Sequence, residues 1–389
     1  MNPPRTTRLL PLLFPLLALL GIGLILLFAQ ESTPTAAIDL SVGRDEAQRR
    51  AADFLRSQGD DPAARWSTVS YQFDSDAQSY LLREAGRETL NQRAQADLDL
   101  AHWQVRFWRP LDPDEWTISV SSATGRISGY AHSIRAEQPG ATLPITAAEQ
   151  LAASALPVPP SQLSLIARTS ATQPERVDHV LTWERTDLRD GAARYRYSVR
   201  VQGDQIGAID EYYWLPDSWW RESAWQGRRG GLLSTVGWTL TYALTALIGF
   251  TWLLLARRGR LRRRWATTLF AAVLALGVLV MLNSIPLELA RYNVNTSLPL
   301  HLLNQLSGYL AQLGTIGATI VLAGMAGEAL VWERTSGRLH MGQTLTRRGL
   351  VSRPTVQALL IGGLVGVTQL GFVSAFYALG GRWFGVWSP

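Results

Sequence analysis

The chain has 389 residues with 37 Lys+Arg against 31 Asp+Glu, a net charge of +6, and no cysteine. Zero cysteine excludes disulfides, thiolate metal sites and a cysteine nucleophile, so any exported part stands on its hydrophobic core alone. The basic total does not make a nucleic-acid binder: residues 31–230 hold 22 Arg against 28 acids and the remainder 15 Arg against three, which places the positive charge in loops beside apolar runs, where topology and lipid headgroups explain it.

Five runs lack charge over about 20 residues, the length a helix needs to cross a bilayer of roughly 30 Å. The first lies between Arg8 and Glu31; the others are Gly230–Ala256, Trp265–Leu287, about Leu306–Leu330, and Pro354–Gly381. The first run exceeds the apolar core usual in a cleaved signal peptide and lacks a clear small-x-small site after it, which favours an uncleaved anchor. Arg5 and Arg8 precede it. Six arginines between Arg257 and Arg264 follow the second run, and five from Arg334 to Arg353 follow the fourth. The short connection after the third run has only Glu288 and Arg291. The positive-inside rule therefore puts the N-terminus in the cytoplasm and residues 31–229 outside an inner, cytoplasmic membrane crossed several times.

The polar block divides by pattern. Val42–Gln58 reads as an amphipathic helix, with Ala47, Ala51 and Leu55 on one face, Ser41 as N-cap and Gly59 as the stop. Trp66–Phe73 reads as a strand and Asp74–Leu100 as a polar helical stretch. His102–Arg109, Trp116–Ser121 and Arg126–Ile134 are further strands, the last two joined by a turn at Ala123-Thr124-Gly125. The order then recurs. Thr146 and Glu149 form a capping-box pattern opening a helix to Leu156, followed by strands Leu163–Thr169, His179–Arg185, Tyr195–Val201 and, after Gly203-Asp204, Gln205–Trp214. WTISVSSATGRISGY and YRYSVRVQGDQIGAI share alternation, turn and returning strand, which predicts a duplicated helix-plus-antiparallel-sheet unit.

The expected fold is thus an α-helical membrane protein of five spans with an extracytoplasmic α+β domain of two similar units. The domains are 1–30, cytoplasmic tip and anchor; 31–140 and 141–229, the two units; and 230–389, a four-span bundle.

Signals of chemistry are sparse. His102, His132, His179, His301 and His340 include no one-turn pair and no HExxH. His102 and His179 begin comparable strands of the two units, a hint of a symmetric site against the simpler reading of two inherited edge residues. Gly362-Gly363 and Gly366 lie inside the last run, where small residues serve close helix packing. Glu328 is the intramembrane acid with most claim to function; pairing with nearby Arg334 is the plainer reading. Glu288 sits at the outer end of the third run. Trp219, Trp220, Trp225, Trp265, Trp332, Trp383 and Trp387 read as interfacial anchors. Residues 291–306 suggest a short helix lying on the outer surface. No catalytic, cofactor or metal residue is assigned, and no cofactor.

Helix, strand and glycine-turned hairpin in this order resemble the PepSY type of small extracytoplasmic domain, which implies a regulatory or binding role. IDLSVGRDEAQRRAADFLRSQG, HWQVRFWRPLDPDEWTISVSSATGRISGY, the arginine-rich joint after the second run and the terminal GGRWFGVWSP resemble the N-terminal, non-catalytic half of large bacterial CPBP proteins, the CAAX-processing or glutamic-type intramembrane proteases. That resemblance implies a hydrolase that cleaves peptide bonds inside the membrane with adjacent glutamates, an arginine, and later histidines and an asparagine. No two glutamates are adjacent in this chain, and His301 and Asn304 have the wrong spacing to stand in. The expectation is a sensor or scaffold half of an intramembrane endopeptidase, lacking its Glu-Glu-x-x-x-Arg motif and in that sense truncated, with the bilayer, a catalytic membrane half or a peptide substrate as partners. The alternative is an independent membrane-anchored binding or signalling protein with a PepSY-like head. Nucleic acid is not an expected partner.

Overall fold

A computed structural model describes residues 6–32, 40–96, 98–258, 264–335 and 347–384. The chain divides into two compact units, one of Pro34–Gln226 with Asn283–Gln305, the other of Met1–Thr33, Gly227–Leu282 and Leu306–Pro389. The first unit is the head. Residues 283–305, counted by sequence with the membrane bundle, cluster with it.

Helix α2 (Arg44–Ser57) buries Ala47, Ala51 and Leu55, one residue per turn, and opens with Asp45 and Glu46 where the helix dipole favours acids. Its N-cap is Gly43 rather than Ser41. β1 (Trp66–Phe73) follows. The polar stretch after it is two helices, α3 (Ser75–Glu84), capped by the Asp74 carboxylate on the Ala77 N–H, and α4 (Gly86–Gln95). β2 (Ala101–Arg109), β3 (Asp112–Ser121) and β4 (Ile127–Ser133) form a meander. Then come α5 (Ile145–Ser154), β5 (Leu163–Thr172), β6 (Val177–Asp190), β7 (Ala193–Gln202) and β8 (Gln205–Trp214). The capping box does not form. Pro144 is the N-cap of α5, and Glu149 instead pairs with Arg168 of β5 at 2.8 Å. Gly125 and Gly203 both take positive φ, the backbone that the β3–β4 and β7–β8 turns require.

All eight strands make one antiparallel sheet in the order β1-β2-β3-β4-β8-β7-β6-β5. The two four-strand series meet where Tyr130 and Ala131 pair with Ile209 and Ala208. A side chain at Gly129 would place its Cβ 2.8 Å from the Ile209 carbonyl, so only glycine lets the strands approach there. Alternation sends Val105, Ile118, Val199 and Leu181 to one face, which the helices cover. α2 packs over β2 and β3. α3 and α4 leave the first series and, with α5, cover Leu181, Trp183, Tyr195 and Tyr197 of the second.

In the other unit, α6 (Asp217–Arg257), α7 (Arg264–Ala290), α8 (Leu298–Thr335) and α10 (Arg353–Phe384) each hold a stretch long and apolar enough to span a membrane; a four-residue helix α9 (Arg347–Leu350) precedes the last. The first run forms helix α1 (Thr6–Ser32), whose described apolar part is the shorter Phe14–Phe28. α1 packs lengthwise on α10. Their closest approach is at Gly21 and Gly371: a Cβ on Gly371 would lie 2.4 Å from the Gly21 Cα. Gly362, Gly363 and Gly366, expected to serve packing, have nothing within 4 Å of an added Cβ among the described residues.

Candidate functional site

The head's uncovered sheet face carries the most specific arrangement in the molecule. Arg106 and Trp108 of β2 receive the connection between α7 and α8. Arg106 donates through one nitrogen to the Tyr292 carbonyl at 2.5 Å, and is itself held by Glu115 of β3 through Nε at 3.0 Å. The Trp108 ring lies between Trp66, centroids 5.5 Å apart, and Tyr292, 4.8 Å apart. Tyr292 and Val294 are fully or nearly buried with it. The expected surface helix over 291–306 is therefore corrected. Residues 289–294 are folded into the head, and Leu298 onward is already α8, with Pro299 in its first turn where a missing N–H costs nothing. Tyr292 curls onto its own loop through a hydroxyl bond to the Thr296 carbonyl, and His301 meets its ring edge-on at 5.2 Å. Thr68 Oγ1, Trp108 Nε1 and His301 Nε2 are buried here without a hydrogen-bond partner among the described residues. Each such group costs on the order of 1–3 kcal/mol. The clasp joins an aromatic stack to the guanidinium–carbonyl bond of Arg106.

A second arrangement surrounds Asp99. Its Oδ1 lies 3.0 Å from His102 Nδ1 and accepts from Ser128 Oγ at 3.1 Å, while its N–H donates to the buried Tyr195 hydroxyl. Burial pushes the His102 imidazole down, but the hydrogen bond to Asp99 and the charges of Asp99, Asp210 and Glu211 outweigh it, so its pKa is raised. Arg126 answers Glu211. Ser128 and His102 share one carboxylate instead of bonding to each other, so this is not a nucleophile with its base. A histidine with a raised pKa stabilises the fold most below its unfolded value of about 6.5, and that contribution is lost as pH rises through the elevated folded value. Replacing Asp99 by Asn is expected to lower the His102 midpoint and flatten this dependence in a histidine NMR titration. An unchanged midpoint would remove Asp99 as the cause.

Most of the other described residues singled out by sequence are held by structural partners, although the Trp219 indole N–H is buried with no hydrogen-bond partner among the described residues. His179 bonds Ser170 Oγ at 2.8 Å and the Leu143 carbonyl at 2.9 Å. It shares the core face with Leu181, whereas His102 alternates with Trp103 and Val105 and so takes the opposite face; the two histidines cannot form one symmetric site. His132 stacks on Trp116 at 4.0 Å and meets Asp114 at 2.8 Å. Glu328 accepts from the buried Trp265 indole at 2.5 Å, which fixes the start of α7 to α8. Trp265 is thus a packing residue, as is Trp219, buried against Tyr80 with Arg83 over its ring. Trp220 and Trp225 are about half exposed. Glu288 accepts from Gln305 at 2.6 Å. His340, and the side chains of Trp332, Arg334, Trp383 and Trp387, lie outside the described residues. Among the described residues no cluster of three or more His, Asp or Glu side chains could hold a metal. No protein family, curated protein or solved structure matches this chain.

Proposed function

We propose that this chain is the sensor and scaffold part of an intramembrane peptidase: a receptor for polypeptide outside the membrane, with spans that seat beside a catalytic part on another chain. The observation that carries the reading is the clasp. A strand of the head grips the connection between two apolar helices through Arg106, Trp108 and Tyr292, so whatever displaces those side chains also acts on the ends of α7 and α8. The resemblance to CPBP proteases supplies the peptidase, and the lack of adjacent glutamates in the sequence supplies the division of labour. We count α1 as a fifth span, with the N-terminus cytoplasmic and the head outside. Membership of the head and residues 283–305 in one compact unit supports a shared side for both. The parallel order of the two four-strand series supports duplication within the head.

Affinity purification of the full chain in mild detergent is expected to carry with it a membrane protein bearing Glu-Glu-x-x-x-Arg, encoded by neighbouring DNA. Purification alone beside an unrelated neighbour gene would leave the independent anchored receptor in its place. The purified chain by itself is expected to cleave no peptide above background; activity abolished by Glu328→Gln would overturn the scaffold role. A reporter fused after Pro389 should be active only outside the cytoplasm, and cytoplasmic activity would refute five spans.

A further inference from the structure

The head's side of the clasp is assembled from its own strands. In the register of β1 on β2, Trp66 stands opposite Trp108 and Thr68 opposite Arg106, so the four side chains share one face of two neighbouring strands. Arg106 donates to Glu115 of β3 through Nε at 3.0 Å and through one terminal nitrogen, and its guanidinium carbon lies 5.8 Å from the Trp108 ring centroid. The other terminal nitrogen is turned to the connection, donating to the Tyr292 carbonyl at 2.5 Å and the Ala290 carbonyl at 3.4 Å.

The segment seated on this patch has the form of a short ligand. Tyr292 and Val294 are buried while Asn293 and Asn295 are exposed, so the contact falls on an aromatic residue, its carbonyl and the branched residue two places on. The fit is incomplete. Trp66 is still about half exposed, and Trp108 Nε1 and Thr68 Oγ1 are buried without a hydrogen-bond partner among the described residues. An aromatic residue from outside can therefore meet Trp66 while residues 292–294 are in place, and an acceptor that reaches the indole N–H gains a bond the resident segment forgoes.

We propose that this patch is the head's polypeptide-binding site and that residues 290–294 fill it as an internal ligand. An incoming segment with an aromatic residue, followed two positions on by a branched apolar one, displaces them. A polypeptide is the occupant because one is seated there already, held through a main-chain carbonyl on Arg106 and a ring on Trp108. The resident has the advantage of attachment, since a tethered ligand acts at an effective concentration on the order of millimolar. A free segment prevails through the contacts the resident lacks. The site rests on the reading of the head as a polypeptide receptor and gives that receptor its ligand and its resting state.

The test uses the full chain in mild detergent and a labelled peptide copying Leu289–Leu298, with a control peptide in which alanine replaces the tyrosine. By fluorescence anisotropy the peptide is expected to bind Tyr292→Ala at least about tenfold tighter than the parent, because that variant has lost its internal competitor. The control peptide should bind neither, and adding Arg106→Gln to Tyr292→Ala should remove most of the binding. In the parent, peptide at millimolar concentration should open the chain's own residues 289–297 to limited proteolysis, and the control should not; this readout stands if Tyr292→Ala misfolds. Equal binding to parent and Tyr292→Ala puts the peptide elsewhere and overturns the site, with the receptor reading left standing. A parent connection that stays protected makes residues 290–294 a permanent part of the fold and overturns the proposal whatever Tyr292→Ala does. Absence of binding to a cooperatively folded Tyr292→Ala chain overturns the site too, and the receptor reading falls only if the co-purified peptidase partner is absent as well.

Discussion

Trp108→Ala is expected to destabilise the head by about 3–5 kcal/mol and to free the α7–α8 connection, because it removes a fully buried indole wedged between Trp66 and Tyr292 and leaves a cavity with Tyr292 on one wall. Trp108→Phe should cost far less, about 1 kcal/mol. The indole N–H has no partner among the described residues, so phenylalanine keeps the ring contact and gives up no hydrogen bond. Arg106→Ala should fall between tryptophan loss and the phenylalanine variant and should act partly through Glu115, which it leaves without its guanidinium. Limited proteolysis within 289–297, alongside thermal unfolding of the full chain, reads both effects. A Trp108→Ala protein whose connection stays as protected as the parent's would show that the clasp does not hold it.

Gly371→Ala is the second large effect. One added methyl group would meet the Gly21 Cα and carbonyl oxygen at 2.4 Å, and both belong to backbone that cannot rotate away. Overpacking of this kind costs about 1–3 kcal/mol in a packed interior, and where the driving force between apolar helices is close packing, separation of α1 from α10 is the cheaper response. Gly363→Ala, eight positions earlier on the same helix, meets nothing within 4 Å and should be silent. Because the chain has no cysteine, engineered cysteine pairs between α1 and α10 report this without background: cross-linking should fall in Gly371→Ala and persist in Gly363→Ala. Equal cross-linking in both would place the helix contact elsewhere.

Much of the head was legible because strand period and turn residues act locally. WSTVSYQF and QIGAIDEYYW became β1 and β8 with the boundaries read from the sequence. Caps were less legible, since a capping pattern competes with tertiary partners: Glu149 found Arg168, which no local rule contains. The same holds for packing glycines. Gly362-Gly363 carries the conspicuous pattern, yet Gly371 meets a helix some 350 residues away in sequence. The clasp was illegible for a related reason. Tyr292 and Val294 look like ordinary loop residues until a distant Trp108 is brought over them, and the only local trace was aromatic and β-branched residues in an otherwise polar connection. Asp99 was equally hidden, since nothing near it announces that His102 and Ser128 converge on one oxygen.

The clasp also sets an order in time. Arg106 and Tyr292 are 186 residues apart, which at 5–20 residues per second is roughly 10–40 s of synthesis. Throughout that interval the strand carrying Trp108 lacks its cover. It is completed only after α6 and α7 have been made and the segment that follows α7 has folded onto the head. The maturation of the head therefore waits on the synthesis of α7 and the segment after it, and a nascent chain stalled before residue 290 should present Trp108 to proteases and chaperones that never reach it in the finished protein.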